Sequence, residues 1–314
     1  MNKSASRLAA VLPALLGIGL FALSIWALHQ ELQHYQRFDL LQSLRSLPAA
    51  KLLLALTLTK LNYVAIATYD SIAVRYVRHP LPYRQTALVS GISTAVGNSV
   101  GFALLSGSAI RYRLYSAWGL SAMQIARIIA FSSLSFWLGL FAVAGGVFTI
   151  LPPPIPATLN LPLRSARSIG VLFVAIIAVY LLWNLVSRRP IRLGRFTLPH
   201  VPIQLAIAQI AVAAVDWSLA ASVLYVLLPV SPTYSSYLGI FLLAQIAGVI
   251  SNVPGGLGVF ETVVILMLSH SISTPALFGS LIAYRGIYYL LPLAIATLLL
   301  GGYELRTRMI VKRS

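Results

Sequence analysis

Apolar residues gather into eight long stretches separated by short polar or basic runs: 8–28, 49–70, 86–106, 124–150, 168–187, 202–228, 236–269 and 276–301. A helix needs about 20 apolar residues to cross the hydrocarbon of a bilayer, and each stretch reaches that length. The pattern predicts an all-α polytopic membrane protein. Two stretches are interrupted. The first break reads Gly97-Asn98-Ser99-Val100-Gly101, followed by Ser106-Gly107-Ser108-Ala109-Ile110-Arg111-Tyr112-Arg113. The second, inside 236–269, reads Ser251-Asn252-Val253-Pro254-Gly255-Gly256-Leu257-Gly258-Val259-Phe260-Glu261. Both place an Asn, a helix-breaking glycine cluster and an ionisable side chain where an ordinary membrane helix is plain Leu, Ile or Val. Lipid offers no hydrogen bond to an interrupted backbone, so such breaks persist only where protein or a wet cavity surrounds them. They point to a working site.

Simple alternation of eight spans would put Arg111, Arg113, Arg188, Arg189, Arg192 and Arg195 outside the cell, against the tendency of Lys and Arg to stay cytoplasmic. The conflict disappears if 86–120 and 236–270 are re-entrant hairpins, each entering and leaving on one side. Loops 71–85, 107–123 and 188–200 then become cytoplasmic, with both termini, and the proline-rich run from Pro152 to Pro156 faces outward. The expected fold is six true spans and two broken hairpins, one from each side, in a single membrane domain over 1–314.

A weak internal repeat agrees with this layout. A shift of 150 residues lays Ser108-Ala109-Ile110-Arg111 on Gly258-Val259-Phe260-Glu261, and a shift of 146 lays Ala67-Thr68-Tyr69-Asp70 on Ala213-Ala214-Val215-Asp216. The halves, about 49–150 and 202–301, each read as a span with an Asp, a broken hairpin and a further span. In the charge-derived topology they run in opposite senses, a recurrent transporter design.

Composition narrows the function classes. The chain has 314 residues, 59% hydrophobic and only 9% charged, with a mean hydropathy of +0.86; soluble domains are about a quarter charged. There is no cysteine, which excludes disulfides, thiolate metal sites and Cys nucleophiles. His29, His34, His79, His200 and His270 lack ligand spacing, and no cofactor is expected. The net charge of +17 belongs to basic segment ends facing an anionic leaflet rather than to nucleic-acid binding. Lys3 and Arg7 precede the run 8–28, which is read as an uncleaved first span.

Only six residues are acidic: Glu31, Asp39, Asp70, Asp216, Glu261 and Glu304. Asp70, Asp216 and Glu261 fall in membrane segments, as do the basic Lys60, Arg111 and Arg285. A charge at the centre of a membrane helix costs about 2.5–3.5 kcal/mol on insertion scales, so most of the six are expected to pair or to line a polar cavity. Lys60 can instead snorkel, and Asp70 can pair with Arg75. Trp26, Trp118 and Trp183 read as interface anchors. Arginine binds phosphate oxyanions bidentately, and freed N–H groups at a glycine-rich half-helix start add a second anion-binding device. Asn98, Asn252 and Ser108 flank the breaks and complete the candidate set. No hydrolase triad, nucleotide loop or metal motif accompanies these groups, so an enzyme lacks a nucleophile, whereas a translocation pathway needs none.

The strings Gly97-Asn98, Gly107 through Tyr115, Val253-Pro254-Gly255-Gly256-Leu257-Gly258-Val259-Phe260-Glu261 and Ala283-Tyr284-Arg285 with Tyr288-Tyr289 and Pro292 resemble one family. It is the flippase-like transmembrane domain of the lysylphosphatidylglycerol synthases, with the stand-alone bacterial inner-membrane proteins that share it. The resemblance covers nearly the whole chain. It implies movement of a polar lipid between leaflets of the cytoplasmic membrane, without the lipid-making domain of the bifunctional members. The family commonly carries a glycine pair where this chain has Gly107-Ser108, which leaves room for a hydroxyl contact. The lipid expected is an anionic or aminoacylated phospholipid, or a glycolipid or hopanoid, with a separate lipid-modifying transferase as a partner.

The leading expectation is therefore a lipid flippase-like protein in which Arg111 and Arg285 hold the lipid phosphate, while Glu261, Asp216 and Asp70 engage the headgroup or gate the arginines. The rivals are a small-solute transporter coupled to protons through Asp216 or Glu261, and a non-transporting partner that delivers lipid to a transferase.

Overall fold

The structure is a computed structural model that describes residues 47–100, 103–153, 166–187, 191–193, 196–198, 200–230, 232–251 and 254–311. The expected first span at 8–28, the proline-rich run beyond Pro153, and Asn252 lie outside those residues. The described chain is helical apart from a small antiparallel ribbon, β1 (Ile191–Leu193) with β2 (Phe196–Leu198), inside the expected loop 188–200.

Helix α1 (Ala49–Tyr76) is followed by α2 (Tyr83–Val100), α3 (Ala103–Ala117), α4 (Ala122–Ile150) and α5 (Ala166–Val186). After the ribbon come α6 (Ile203–Leu227), α7 (Tyr234–Ile250), α8 (Val259–Leu268), α9 (Thr274–Tyr284) and α10 (Leu291–Val311). Local chemistry sets several starts. Pro48 and Pro202 precede α1 and α6, and each gives its carbonyl to the first helical N–H groups. At α4, the Ser121 hydroxyl accepts from the Gln124 N–H while the Gln124 side chain accepts from the Ser121 N–H, a reciprocal cap. Pro275 stands in the first turn of α9, where its missing N–H is not needed.

Five described helical stretches are long and apolar enough to cross a membrane: α1, α4, α5, α6 and the continuous run Thr274–Tyr303. The chain is a polytopic all-α membrane protein. The remaining helices are shorter. At 1.5 Å per residue α2 and α7 span about 25–27 Å, α3 about 22 Å and α8 about 15 Å, each below the roughly 30 Å of hydrocarbon. Helices α2 and α3 pack against each other, as do α7 and α8, so the chain turns back on itself at each break.

Two details differ from the sequence expectation, and one, the placing of Lys60, agrees with it. The segment 107–123, read as a loop, is helical through Ala117, and Gly97–Val100, read as part of the first break, is the last turn of α2. The run 276–301 is not a plain span: residues Arg285–Leu290 form a π-turn between α9 and α10, a widening of the helix that often marks functional positions. Lys60 points away from the interior, on the exposed face of α1, as a snorkelling lysine does.

Buried side chains form two large apolar cores, with a polar belt and a small third cluster of Ile66, Tyr69 and Ala213 between them. On α1, Ala55 belongs to one core and Ala73 and Val74 to the other, with buried Thr59, Asn62 and Asp70 between. On α4 the crossing residues are Ser132 and Ser135, between Phe131 and Leu140. On α6 they are Gln209 and Asp216, between Ala206 and Trp217. The π-turn occupies the same level, with Tyr289 in the first core and Leu293 in the second. Helix α5 lies outside this arrangement, resting on α4 through Gly170 and Gly145 and exposing Val171, Val179, Leu182 and Leu185.

Close helix approach sets the spacing of the belt. A Cβ on Gly139 of α4 would lie 2.4 Å from the Ala213 Cβ and 2.9 Å from its carbonyl oxygen on α6, whereas nothing lies within 4 Å of a Cβ on Gly146. Gly139→Ala therefore forces α4 and α6 apart, an overpacking cost of about 1–3 kcal/mol. We expect a lowered apparent melting temperature for Gly139→Ala in detergent and little change for Gly146→Ala, measured by thermal-shift gel filtration.

Candidate functional site

The belt holds three carboxylates, and each has a different set of partners. Asp70 lies on α1, fully buried. Arg111 of α3 grips it from the side: Nε donates to Oδ2 at 3.0 Å and to Oδ1 at 3.3 Å, and Nη2 donates to Oδ1 at 3.2 Å. Tyr115, one turn beyond Arg111 on the same face, donates its hydroxyl to Oδ2 at 2.9 Å, and Ser132 of α4 donates to Oδ1 at 2.7 Å. Arg75, the partner considered from the sequence, is exposed at the end of α1. Gly107 makes the approach of α3 possible. A Cβ there would stand 3.0 Å from the Ser93 carbonyl on α2 and 3.5 Å from Nη1 of Arg111.

At the second break the polarity is inverted. The acid, Glu261, is on the short helix after the break, and the arginine, Arg285, is on the long helix that follows. Nε of Arg285 donates to Oε1 of Glu261 at 2.6 Å, and Nη1 donates to the Gly255 carbonyl at 2.7 Å. The other carboxylate oxygen of Glu261 accepts from the Gly258 N–H at 2.8 Å, capping α8, where a negative charge also suits the helix dipole. The glycines are structural necessities here. Gly255, Gly256 and Gly258 have φ of 59°, 64° and 79°, the left-handed region in which a Cβ is strained. A Cβ on Gly256 would also come within 3.2 Å of the Gly248 Cα on α7. Arg285 is 1% exposed. Its guanidinium carbon stands 4.5 Å from the Tyr289 ring centroid and 5.7 Å from that of Phe260, aromatic faces that favour a cation.

Asp216, at mid-length of α6, has no basic partner among the described residues. Its Oδ1 accepts from Asn62 Nδ2 at 2.7 Å and its Oδ2 from the Tyr69 hydroxyl at 2.6 Å. The same Asn62 nitrogen donates to the Asp216 backbone carbonyl at 2.8 Å, and Tyr288 of the π-turn donates to Asn62 Oδ1 at 3.0 Å. A neighbouring network joins α4, α5 and α6: Tyr180 donates to Gln209, which donates to Ser135 at 2.7 Å.

Of the residues singled out from sequence, Asp70 is thus joined to Arg111 and Glu261 to Arg285, while Asp216 stands apart from both pairs. Arg111 and Glu261, aligned by the internal shift, do not contact each other; each bonds within its own half. Asn98 lies in the last turn of α2, Ser108 lies on α3, and both are partly exposed. Sequence reading missed Asn62, Tyr69, Tyr115, Ser132 and Tyr288. Spacing was the available signal: Asn62 and Tyr69 are seven residues apart on one helix face, and Arg111 and Tyr115 four apart.

The Arg111–Asp70 pair is buried enough to be asymmetric on mutation. Removing one member of a buried pair costs about 3–5 kcal/mol, because the other charge is left uncompensated. Asp70→Ala is expected to destabilise the detergent-solubilised protein more than the double variant Asp70→Ala/Arg111→Ala does. A double-mutant cycle on apparent melting temperature checks this; strict additivity would show that the pair is not coupled.

Comparison with known proteins places this geometry in a family. The model of the lysylphosphatidylglycerol synthase TM region matches residues 14–296. An uncharacterized protein of Synechocystis is 47% identical over 297 residues, covering 94% of this chain and 92% of that protein. Inner membrane protein YbhN of Escherichia coli is 34% identical over 249 residues, covering 78% of this chain and 77% of YbhN. A phosphatidylglycerol lysyltransferase of Staphylococcus xylosus is 26% identical over 312 residues, which is 96% of this chain but 35% of that enzyme. The chain belongs to the lysylphosphatidylglycerol synthase transmembrane-region family.

Proposed function

We propose that this protein moves a phosphate-bearing polar lipid between the leaflets of the cytoplasmic membrane, with Arg111 and Arg285 as the groups that take the lipid phosphate. The observation that carries the reading is the pair of arginine–carboxylate contacts, each beside a helix break and each in the polar belt. A carboxylate and a phosphate offer arginine the same bidentate geometry. Asp70 and Glu261 therefore occupy the arginines as internal substitutes for lipid phosphate and release them when a lipid arrives. The exchange keeps each guanidinium paired in a low-dielectric setting, where a bare one would be costly, and the released carboxylate keeps its other donors, Tyr115 and Ser132 for Asp70 and the Gly258 N–H for Glu261. Asn98 and Ser108, partly exposed beside the first break, are suited to headgroup hydroxyl or amine contacts, and Asn252 is the candidate at the second.

The halves 49–150 and 202–301 act on this reading as inverted repeats, with the α2/α3 and α7/α8 hairpins entering from opposite faces. Opposite placement of the charges supports it. In the first half the hairpin contributes the arginine and a preceding helix the acid, and in the second the hairpin contributes the acid and a following helix the arginine. A single lipid phosphate can then be passed between two sites that are not released by the same motion. The relatives named as phosphatidylglycerol lysyltransferases make phosphatidylglycerol or its aminoacylated form a reasonable first probe. Action as a binding and transport protein rather than an enzyme, and a lipid-modifying transferase as partner, belong to the same proposal.

The test is leaflet accessibility of fluorescently labelled phosphatidylglycerol in proteoliposomes, read by dithionite quenching. Wild type is expected to expose the inner-leaflet label. Arg111→Ala and Arg285→Ala are expected to lower that rate by about tenfold or more, the loss of one charge-assisted contact of roughly 1.5–3 kcal/mol. Equal rates for wild type and both variants would remove the arginines from the pathway.

A further inference from the structure

We propose that Asp216 is a reversible proton-binding site, and that Asn62 and Tyr288 report its protonation state to the second break. Glu261 was an equal candidate for this role from sequence, but its two oxygens are engaged by Arg285 and by the cap of α8, so its charge is already answered. Asp70 is likewise held by Arg111. Asp216 is buried as well and has only neutral side-chain donors, Asn62 and Tyr69. A buried carboxylate without a countercharge is stabilised in its neutral form by desolvation, and an ionisable group at such a depth commonly serves a proton pathway.

Among the described residues, no cation is aimed at Asp216. From α1 the titratable side chains facing it are Tyr63 and Tyr69, and from the π-turn Tyr288. Helices α7 and α9 contain no charged residue. Arg127 of α4 neighbours Tyr76 at the far end of α1, and Arg167 is exposed in the first turn of α5. The remaining charges of α1 are engaged or turned away: Lys51 donates to the Leu228 carbonyl, Asp70 holds Arg111, and Lys60 and Arg75 are exposed. Asp216 keeps 7% of its surface open.

The Asn62 amide can answer either protonation state of Asp216, donating to the carboxylate or accepting from the carboxylic acid. With Asp216 charged, Nδ2 of Asn62 donates to Oδ1 of Asp216 and Oδ1 of Asn62 accepts from Tyr288. A proton taken from the aqueous phase forms an O–H bond on Oδ1 of Asp216. Rotation of the Asn62 amide then presents its oxygen as the acceptor for that hydrogen. The same rotation turns Nδ2 toward Tyr288, whose hydroxyl changes from donor to acceptor and must place its own hydrogen elsewhere. Tyr288 lies three residues from Arg285 on one π-turn, so the change arrives where the Arg285–Glu261 pair is anchored.

Proton binding stands by itself; its coupling to transport rests on the lipid function proposed above. The binding test is infrared difference spectroscopy of the full chain in nanodiscs as pH is varied across the neutral range. Wild type and Glu261→Gln are expected to show the carbonyl band of a protonated carboxyl that grows as pH falls, and Asp216→Asn to lose it. Tyr288→Phe keeps the carboxyl and is expected to displace the midpoint of the band, which guards against a misfolded Asp216→Asn. An identical band in wild type and Asp216→Asn, or no titrating band in wild type, would overturn the site. In proteoliposomes with labelled phosphatidylglycerol, an imposed pH gradient is expected to change the wild-type flipping rate and leave Asp216→Asn unchanged. A band without flipping sinks the lipid reading and keeps the proton site; flipping without a band does the reverse. A wild type that both titrates and flips, yet ignores the gradient, overturns the coupling.

Discussion

Hydrocarbon supplies no hydrogen-bond partners, so every polar group that this chain carries into the membrane must be answered by another part of the chain. The belt between the two apolar cores is the result. Asp70 collects three donor side chains from α3 and α4, Glu261 serves both an arginine and a helix start, and Asp216 is held by two residues of α1. The helix breaks follow from the same requirement. The left-handed glycines at the second break turn the Gly255 carbonyl toward Arg285 and free the Gly258 N–H for Glu261, so the interrupted backbone and the buried charges satisfy one another.

This economy also makes the belt changeable. An arginine paired with a carboxylate can exchange it for a phosphate and stay paired, and the carboxylate it leaves keeps neutral donors, as Asp70 keeps Tyr115 and Ser132. The two pairs differ in how they tie the fold. Asp70–Arg111 links the first hairpin to α1 and, through Ser132, to α4; Glu261–Arg285 links the second hairpin to the π-turn. Helix α1 connects them. Tyr69 faces Asp216 while its neighbour Asp70 faces Arg111, and Asn62, two turns earlier, reaches both Asp216 and Tyr288. A displacement of α1 against α6 is therefore felt at Asp216 and, through Asn62 and Tyr288, at the π-turn that carries Arg285.

The legibility of the site tracked how rare each residue type is in lipid. Asp70, Arg111, Asp216, Glu261 and Arg285 stood out because a charge among Leu and Val demands a reason, and all five are in the belt. Ser132 did not, because serines are ordinary in membrane helices, and Tyr115 and Tyr288 entered only within the family strings, with no partner in sequence to give them a role. Asn62 was available as an amide amid apolar residues, yet nothing nearby in sequence pointed to Asp216, 154 positions away. The π-turn at 285–290 was hidden for a similar reason: its residues lie in a continuous hydropathy segment, and Arg285 and Tyr288 reach different partners that only the folded chain supplies.

The amino-acid sequence alone determined that this is a helical membrane protein, that two of its apolar stretches are interrupted, and which charges are carried inside, because hydropathy, glycine and proline act locally and lipid penalises each exception. Tertiary structure alone decided which charges meet. Alignment of the halves set Arg111 beside Glu261, but the folded chain gives Arg111 to Asp70 and Glu261 to Arg285, and leaves Asp216 to neutral donors. Pairing depends on which helix faces pack and how closely, as at Gly107 and Gly139, and those distances arise only when the helices come together.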